Sequence, residues 1–155
     1  MSEEQEPVVA ESADPDVPAP EQFVGGPRRD QPRDSHTAAE LEVIHTRALL
    51  AAEAASGLKA ESIRVLDMHE LVTYTDYLVV CTGRSNRQTR RISEEIGFKL
   101  KLDLGLMPAQ VEADTGYEWV LMDYLDFIVH IFTPQAREFY RLDVLWKQAP
   151  VEEIE

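Results

Sequence analysis

Two β-rich segments, 117–124 and 126–132, are separated by Leu125 alone. So short a connection forces them to pair as an antiparallel hairpin. Because side chains alternate along a strand, Trp119, Leu121 and Asp123 share one face of the sheet and Val120, Met122 and Tyr124 the other. On the second strand Phe127, Val129 and Ile131 lie together, opposite Ile128, His130 and Phe132. Large apolar groups therefore stand on both faces. One face must pack on helices; the other is either covered as well or left as the kind of apolar patch that marks an interface.

The remainder of the chain supplies the cover. Thr37, with Glu40 three residues on, forms a capping box ahead of Leu41, Ile44, Ala48, Ala51, Ala52 and Ala55, an apolar stripe that stops at Gly57. Segments 62–68 and 76–82 are rich in β-branched residues and predict strands. Ser85 and Gln88 make a second capping box, opening a helix whose apolar face is Thr89, Ile92, Ile96 and Leu100 and whose end falls near Gly105. A weaker strand signal covers 107–112, and Thr133 caps a last short helix with Pro134 at its first position. The order α, β, β, α, β, β, β, α predicts one α/β domain with a mixed five-stranded sheet and flanking helices.

At 155 residues, 44% of them apolar, the chain can bury one core but hardly two. The first 36 residues hold six of the nine prolines, nine acidic residues and three basic ones, a composition that buries too little apolar surface to offset its ordering entropy. Residues 1–36 are expected to be a disordered acidic tail, either solubilising or partner-binding, and 149–155 an acidic C-terminal tail, which leaves 37–148 as the folded domain. Between 37 and 150 there are 17 acidic and 12 basic residues, so the net charge of −14 resides mostly at the ends. The mild acidity of the folded part, −5, argues against broad nonspecific RNA binding. No N-terminal basic stretch leads into an apolar run and no window approaches the ~20 apolar residues of a membrane span, so a soluble cytoplasmic protein is expected. The single cysteine, Cys81, excludes an intrachain disulfide and fits a reducing compartment as a small buried hydrophobe.

Catalytic patterns are sparse. Gly83, Arg84 and Ser85 at a strand-to-helix turn resemble a phosphate loop, but nucleotidyl transfer needs closely spaced carboxylates on one strand face to hold Mg²⁺. Asp123 and Asp126 flank the hairpin turn and point to opposite faces if the strands are regular, and Ser85 is accounted for as a helix cap. His130 lies about 13 Å from Asp126 along an extended strand, with no Ser or Cys nucleophile evident beside it, so a hydrogen-bonded structural role is favoured. His36, His45, His69 and His130 show no metal-ligand spacing, and neither a metal nor a cofactor is expected.

One charged surface stands out. At 100° per residue Arg87, Arg90 and Arg91 lie opposite Ile92 and Ile96, with Arg84 just before the helix. Cations there oppose the partial positive charge of a helix N-terminus. Glu94 and Glu95 four residues later neutralise them in part. The group is either an ordinary solvated face or a contact for phosphate or an acidic protein.

Several uncommon short patterns occur in a fixed order: Thr75-Asp76-Tyr77, then 82–88 (Thr-Gly-Arg-Ser-Asn-Arg-Gln), then Trp119 through Tyr124, then Val129-His130-Ile131-Phe132, and last 137–140 (Arg-Glu-Phe-Tyr) with Leu145-Trp146. Together, over residues 37–148, the chain resembles the Iojap family, the ribosomal silencing factors of bacteria. The resemblance implies a nucleotidyltransferase-like topology put to non-catalytic use. It implies docking on the large ribosomal subunit through its protein number fourteen, with adjacent ribosomal RNA contact, and steric blocking of small-subunit joining when nutrients are scarce. Organellar relatives assist large-subunit assembly, which is the alternative. The implied protein contacts are Trp119, Leu121, Asp123 and Tyr124, with Asp126, Arg137 and Tyr140 adjacent, each of which could equally belong to the core; Asn86 and Arg87 match the family's turn, where capping is the simpler role. A homodimer through the same apolar face is compatible. Two departures concern loops: Ala113 follows Glu112 where relatives often carry glycine, and Leu125 stands where glycine often separates the two aspartates. If that position needs positive φ, leucine is strained there.

Overall fold

A computed structural model describes residues 35–155. The predicted tail lies outside the described residues as far as 34, while Ser35 and His36 lead into the first helix. That helix, α1 (Ala38–Gly57), starts at the expected capping box: the Thr37 hydroxyl accepts from the Glu40 N–H and the Glu40 carboxylate accepts from the Thr37 N–H. Strands β1 (Glu61–Asp67) and β2 (Tyr77–Thr82) follow, then α2 (Asn86–Leu104), β3 (Gln110–Ala113), β4 (Trp119–Asp123) and β5 (Phe127–Phe132). Short helices α3 (Pro134–Tyr140) and α4 (Leu142–Leu145) precede β6 (Val151–Ile154).

The six strands form one mixed sheet in the order β3-β4-β5-β2-β1-β6. Only β2 and β5 run parallel; β4 and β5 form the expected antiparallel hairpin, with Trp119 opposite Phe132 and Leu121 opposite His130. The sheet has one strand more than the sequence pattern predicts. Residues 151–154, expected within a tail, pair with β1, Leu66 facing Val151 and Ile63 facing Ile154. Their sequence, Val-Glu-Glu-Ile, has no strong strand pattern of its own; the free edge of β1 supplies the hydrogen bonds that make it a strand.

Alternation divides the core in two. Val65, Val79, Cys81, Val120, Met122, Phe127, Val129 and Ile131 pack beneath α1 and α2, on Ile44, the helix alanines, Ile92, Ile96 and Leu100. Leu66, Leu78, Val80, Trp119, Leu121, Ile128 and Phe132 form the opposite layer, covered by Ala136, Leu142, Ala149 and the loop after β1. Both faces of the hairpin are thus buried. The two covers differ in thickness: two helices of 20 and 19 residues on one side, helices of seven and four on the other.

The join between β2 and α2 is tight. A Cβ on Gly83 would stand 2.9 Å from the Thr89 backbone nitrogen, so only glycine lets the strand turn this closely over the helix start. The Ser85 hydroxyl accepts from the Gln88 N–H at 3.2 Å, but the Gln88 amide donates to the Leu58 carbonyl instead of closing a capping box. At the other end Gly105 caps α2 in the left-handed region, φ 64°.

Candidate functional site

The hairpin side chains implied as contacts are core. Trp119, Leu121, Asp123 and Tyr124 are 1%, 0%, 0% and 5% exposed, which corrects their assignment to a surface. The physical reason is cover on both faces: Tyr124 lies in the layer beneath α1 and α2, while on the other face Tyr140 of α3 lies 4.3 Å from Trp119 between ring centroids and Trp146 packs on the same apolar layer. Trp119 also donates its indole N–H to His130 Nδ1 at 2.9 Å, stacked at 5.6 Å between centroids. Burial holds the His130 pKa down at about 3, so the imidazole is neutral and Nδ1 is free of a proton to accept that bond.

The turn of the hairpin is strained where the departure from the family predicts it. Leu125 has φ 74°, stabilised by its N–H donating to Asp123 Oδ1 at 2.8 Å. Asp123 therefore serves the turn from inside. Asp126 stands half-exposed beyond it, where its backbone carbonyl accepts from the Asp76 N–H and its carboxylate lies 3.8 Å from His36 Nε2. His36 Nδ1 in turn lies 2.8 Å from Asp76 Oδ2. No spacing in the sequence signals this meeting of positions 36, 76 and 126, whose ligand-type atoms fall within 4.8 Å of one another. They are the group among the described residues whose donors could converge on a metal; as found, the imidazole anchors the entry to α1 against two carboxylates.

Arg137 is an internal tie. Its Nε and Nη2 donate to the two oxygens of Asp143 at 3.0 Å each, and Nη1 donates to Thr82 Oγ1 at 2.7 Å and to the Ser62 carbonyl at 3.0 Å. Arg64 reaches the same carboxylate at 2.8 Å. Burial alone would raise the Asp143 pKa; the hydrogen bond and charge of Arg137, with Arg64, hold it below the usual carboxylate value. The arginine thus locks α3 and α4 onto the ends of β1 and β2, and its donors are turned inward.

Of what remains outward on the thinly covered face, sequence reasoning offered only Tyr140 as a contact. Val72, Tyr74, Tyr140 and Trp146 are half-buried against the apolar layer, and Leu71, Val144 and Leu145 are 41%, 59% and 39% exposed. Pairing Tyr140 with Trp146 at the seam of two short helices was the available signal. The arginine face lies on a different element, the start of α2. Arg84, Arg87, Arg90 and Arg91 are all exposed, as the helical periodicity predicts. Arg90 pairs with Glu94 at 3.2 Å and lies 5.2 Å above the Tyr117 ring; Arg84 is 3.9 Å from Glu61.

Burial pushes the Cys81 thiol up to about 12 and the His130 imidazole down to about 3, so neither titrates near neutrality. A family model described as "Ribosomal silencing factor during starvation" matches residues 41–155. This chain belongs to that family. Ribosomal silencing factor RsfS of Bacillus subtilis is 33% identical over 106 residues, 68% of this chain and 89% of its own length. A crystal structure of a Chromobacterium violaceum protein is 34% identical, with TM-score 0.64 over 67% of this chain and 86% of that one. A mouse protein named "Mitochondrial assembly of ribosomal large subunit protein 1" is 27% identical over 135 residues, 83% of this chain and 56% of its own. Membership reaches β6, whose residues close the matched range. Among the described residues no helix is long and apolar enough to cross a membrane.

Proposed function

We propose that this silencing factor docks on the large ribosomal subunit through its protein number fourteen and blocks small-subunit joining by its bulk, repressing translation in the cytoplasm. The observation that carries the reading is the thinly covered sheet face of a family member. Half-buried aromatics with exposed Leu71, Val144 and Leu145 form an apolar rim of the type that partners bury, and Trp and Tyr dominate the energetics of such contacts. Tyr140 belongs to this rim directly. Trp119, Leu121, Asp123 and Arg137 act beneath it by fixing the shape of the face, Tyr124 holds the hairpin from the opposite layer, and Asp126 offers a half-exposed carboxylate at the hairpin tip. Occlusion needs affinity and correctly placed volume, not a reaction centre.

The deciding experiment is gradient sedimentation of purified subunits at joining magnesium concentrations, with and without the protein. Comigration with the large subunit together with loss of the joined particle supports silencing. Comigration with joining intact favours the second reading, assembly of the large subunit, which the name of the mouse relative supports. No comigration of a folded sample removes both.

A further inference from the structure

We infer that the cleft between α1, the end of β1 and the start of β6 is a binding site for a short aliphatic diamine. The cleft has a volume of about 240 Å³, and its walls include His45, Val65, Asp67, Tyr77, Pro150 and Glu152. Strand pairing builds it. Tyr77 stands opposite Asp67 across β1 and β2, and Glu152 stands opposite Val65 across β1 and β6. Alternation puts all four on one face of the sheet, the face that Val65 and Tyr77 bury beneath α1. Asp67 and Glu152 are then diagonal neighbours, about 7–8 Å apart. The Asp67 N–H donates to the Pro150 carbonyl at 2.9 Å, which fixes the start of β6 against the cleft.

Tyr77 shows that the cleft is short of a partner. The residue is 8% exposed and lines the cleft, yet its hydroxyl has no hydrogen-bond partner among the described residues. A buried phenol normally finds one, and the N–H of a ligand supplies it. His45 packs on the Tyr77 ring at 5.2 Å between centroids and holds Glu152 Oε1 through Nε2 at 2.8 Å. His69 takes Asp67 Oδ1. Asp67 Oδ2 and Glu152 Oε2 make no hydrogen bond among the described residues, so two carboxylate oxygens and a phenol are left to accept.

These groups select a cation rich in N–H donors. Burial raises the Tyr77 pKa and the charges of Asp67, Asp76 and Glu152 raise it further, so the phenol stays protonated in a negative field. A metal ion fits less well: among the described residues the ligand-type atoms that converge within 4.8 Å belong to positions 36, 76 and 126, not to this cleft. The volume falls below the ~300–1,000 Å³ of sites for drug-sized ligands, which limits the occupant to a few carbons. Two carboxylates set apart take one ammonium each, with the methylenes between them against Val65 and the Tyr77 ring. The cleft lies on the opposite face of the sheet from the layer that carries the apolar rim, so this site and ribosome docking stand or fall separately.

The test titrates putrescine into the whole nitrogen-15-labelled chain at about 0.15 M salt, where the screening length is ~8 Å. Saturable amide shifts centred on residues 45, 65–67, 77, 151 and 152 are the expected result. Reading by residue separates the site from diffuse attraction to a chain of net charge −14. Asp67→Asn/Glu152→Gln keeps volume and acceptors and should weaken binding at least about tenfold. Tyr77→Phe keeps the ring and should weaken it at least about threefold, the share of one hydrogen bond. Glu94→Gln/Asp103→Asn, both exposed on α2, should bind as the parent does. Shifts that are absent, spread evenly over the acidic surface, or unchanged in Asp67→Asn/Glu152→Gln overturn the proposal. So does equal binding of butylamine, which has one charge, or the same shifts produced by Mg²⁺ at the same concentration.

Discussion

The indole nitrogen of Trp119 donates a 2.9 Å hydrogen bond to Nδ1 of His130, joining the first residue of β4 to the fourth of β5 inside the thinly covered apolar layer. The bond requires an unprotonated Nδ1: burial, which holds the pKa down at about 3, keeps the ring neutral near neutral pH, and the indole N–H selects the tautomer with its proton on Nε2.

A pH dependence of stability follows from that pair. The unfolded chain takes up a proton near the ordinary histidine value of 6.5, whereas folded His130 refuses it until about 3. Above 6.5 the group has no effect; from 6.5 down toward 3 stability falls by up to about 1.4 kcal/mol per pH unit. His69 works the other way: its hydrogen bond to Asp67 raises its pKa, so its contribution is present at low pH and lost as pH rises through that value. Urea unfolding at pH 7.5, 6 and 5 in a His69→Gln background should show the decline. His130→Gln should flatten it, and an unchanged slope in that variant would sink the assignment.

Leu125 holds φ 74° in a two-aspartate turn, a conformation costing an L-residue roughly 1–2 kcal/mol. Replacing it with glycine removes the strain but adds freedom to the unfolded chain. The net expectation for Leu125→Gly is a gain of about 1 kcal/mol, read as a higher urea midpoint with an unchanged slope. A loss of stability would mean that the half-buried leucine side chain contributes more than its backbone costs.

Much of this was legible because it is local. A capping box at Thr37 and Glu40 and the period-two alternation of 119–124 and 127–132 depend on neighbours a few residues apart, and each appears where the pattern puts it. The positive φ at Leu125 was legible only through the resemblance, as leucine standing where relatives often carry glycine. What was not legible is long-range. Whether Trp119 is covered depends on where residues 136–149 fold back, and α4 itself, four residues long with no side-chain cap, has almost no local signature. Strand β6 exists because β1 has a free edge, and His36 meets Asp76 and Asp126 because α1 starts over the end of the sheet.

Arg137 and Asp143 form a two-pronged ion pair that is 15% and 22% exposed at the side chains, so its loss is felt more than a surface pair's. Arg137→Ala leaves the Asp143 carboxylate half-buried with only Arg64 beside it. A destabilisation of about 2–3 kcal/mol is expected, with Arg137→Lys recovering only part of it because an ammonium cannot bridge both oxygens. Asp143 has a depressed pKa, so its share of the stability is present above the ordinary carboxylate value of 3.8 and is lost as pH falls through the folded value. Thermal unfolding of the two variants and the parent at pH 7 and pH 3 checks both points: the gap between parent and Arg137→Ala should narrow in acid.

The same layer that makes Trp119 structural makes it a poor probe of binding. Trp119→Ala empties a fully buried site and should cost about 3–5 kcal/mol, so any lost ribosome binding would report unfolding rather than a contact. Val144→Asp combined with Leu145→Asp is the discriminating change, since both side chains are already exposed and the four-residue helix that carries them has only Asp143 in its first turn. Its melting temperature should stay within a few degrees of the parent's, as expected for surface substitutions. Its affinity for isolated large subunits should drop at least tenfold, about 1.4 kcal/mol. If the folded double variant sediments with large subunits as well as the parent does, the rim around Tyr140 and Trp146 is not the docking face. The partner must then be met elsewhere, with the hairpin tip at Asp126 the next surface to change.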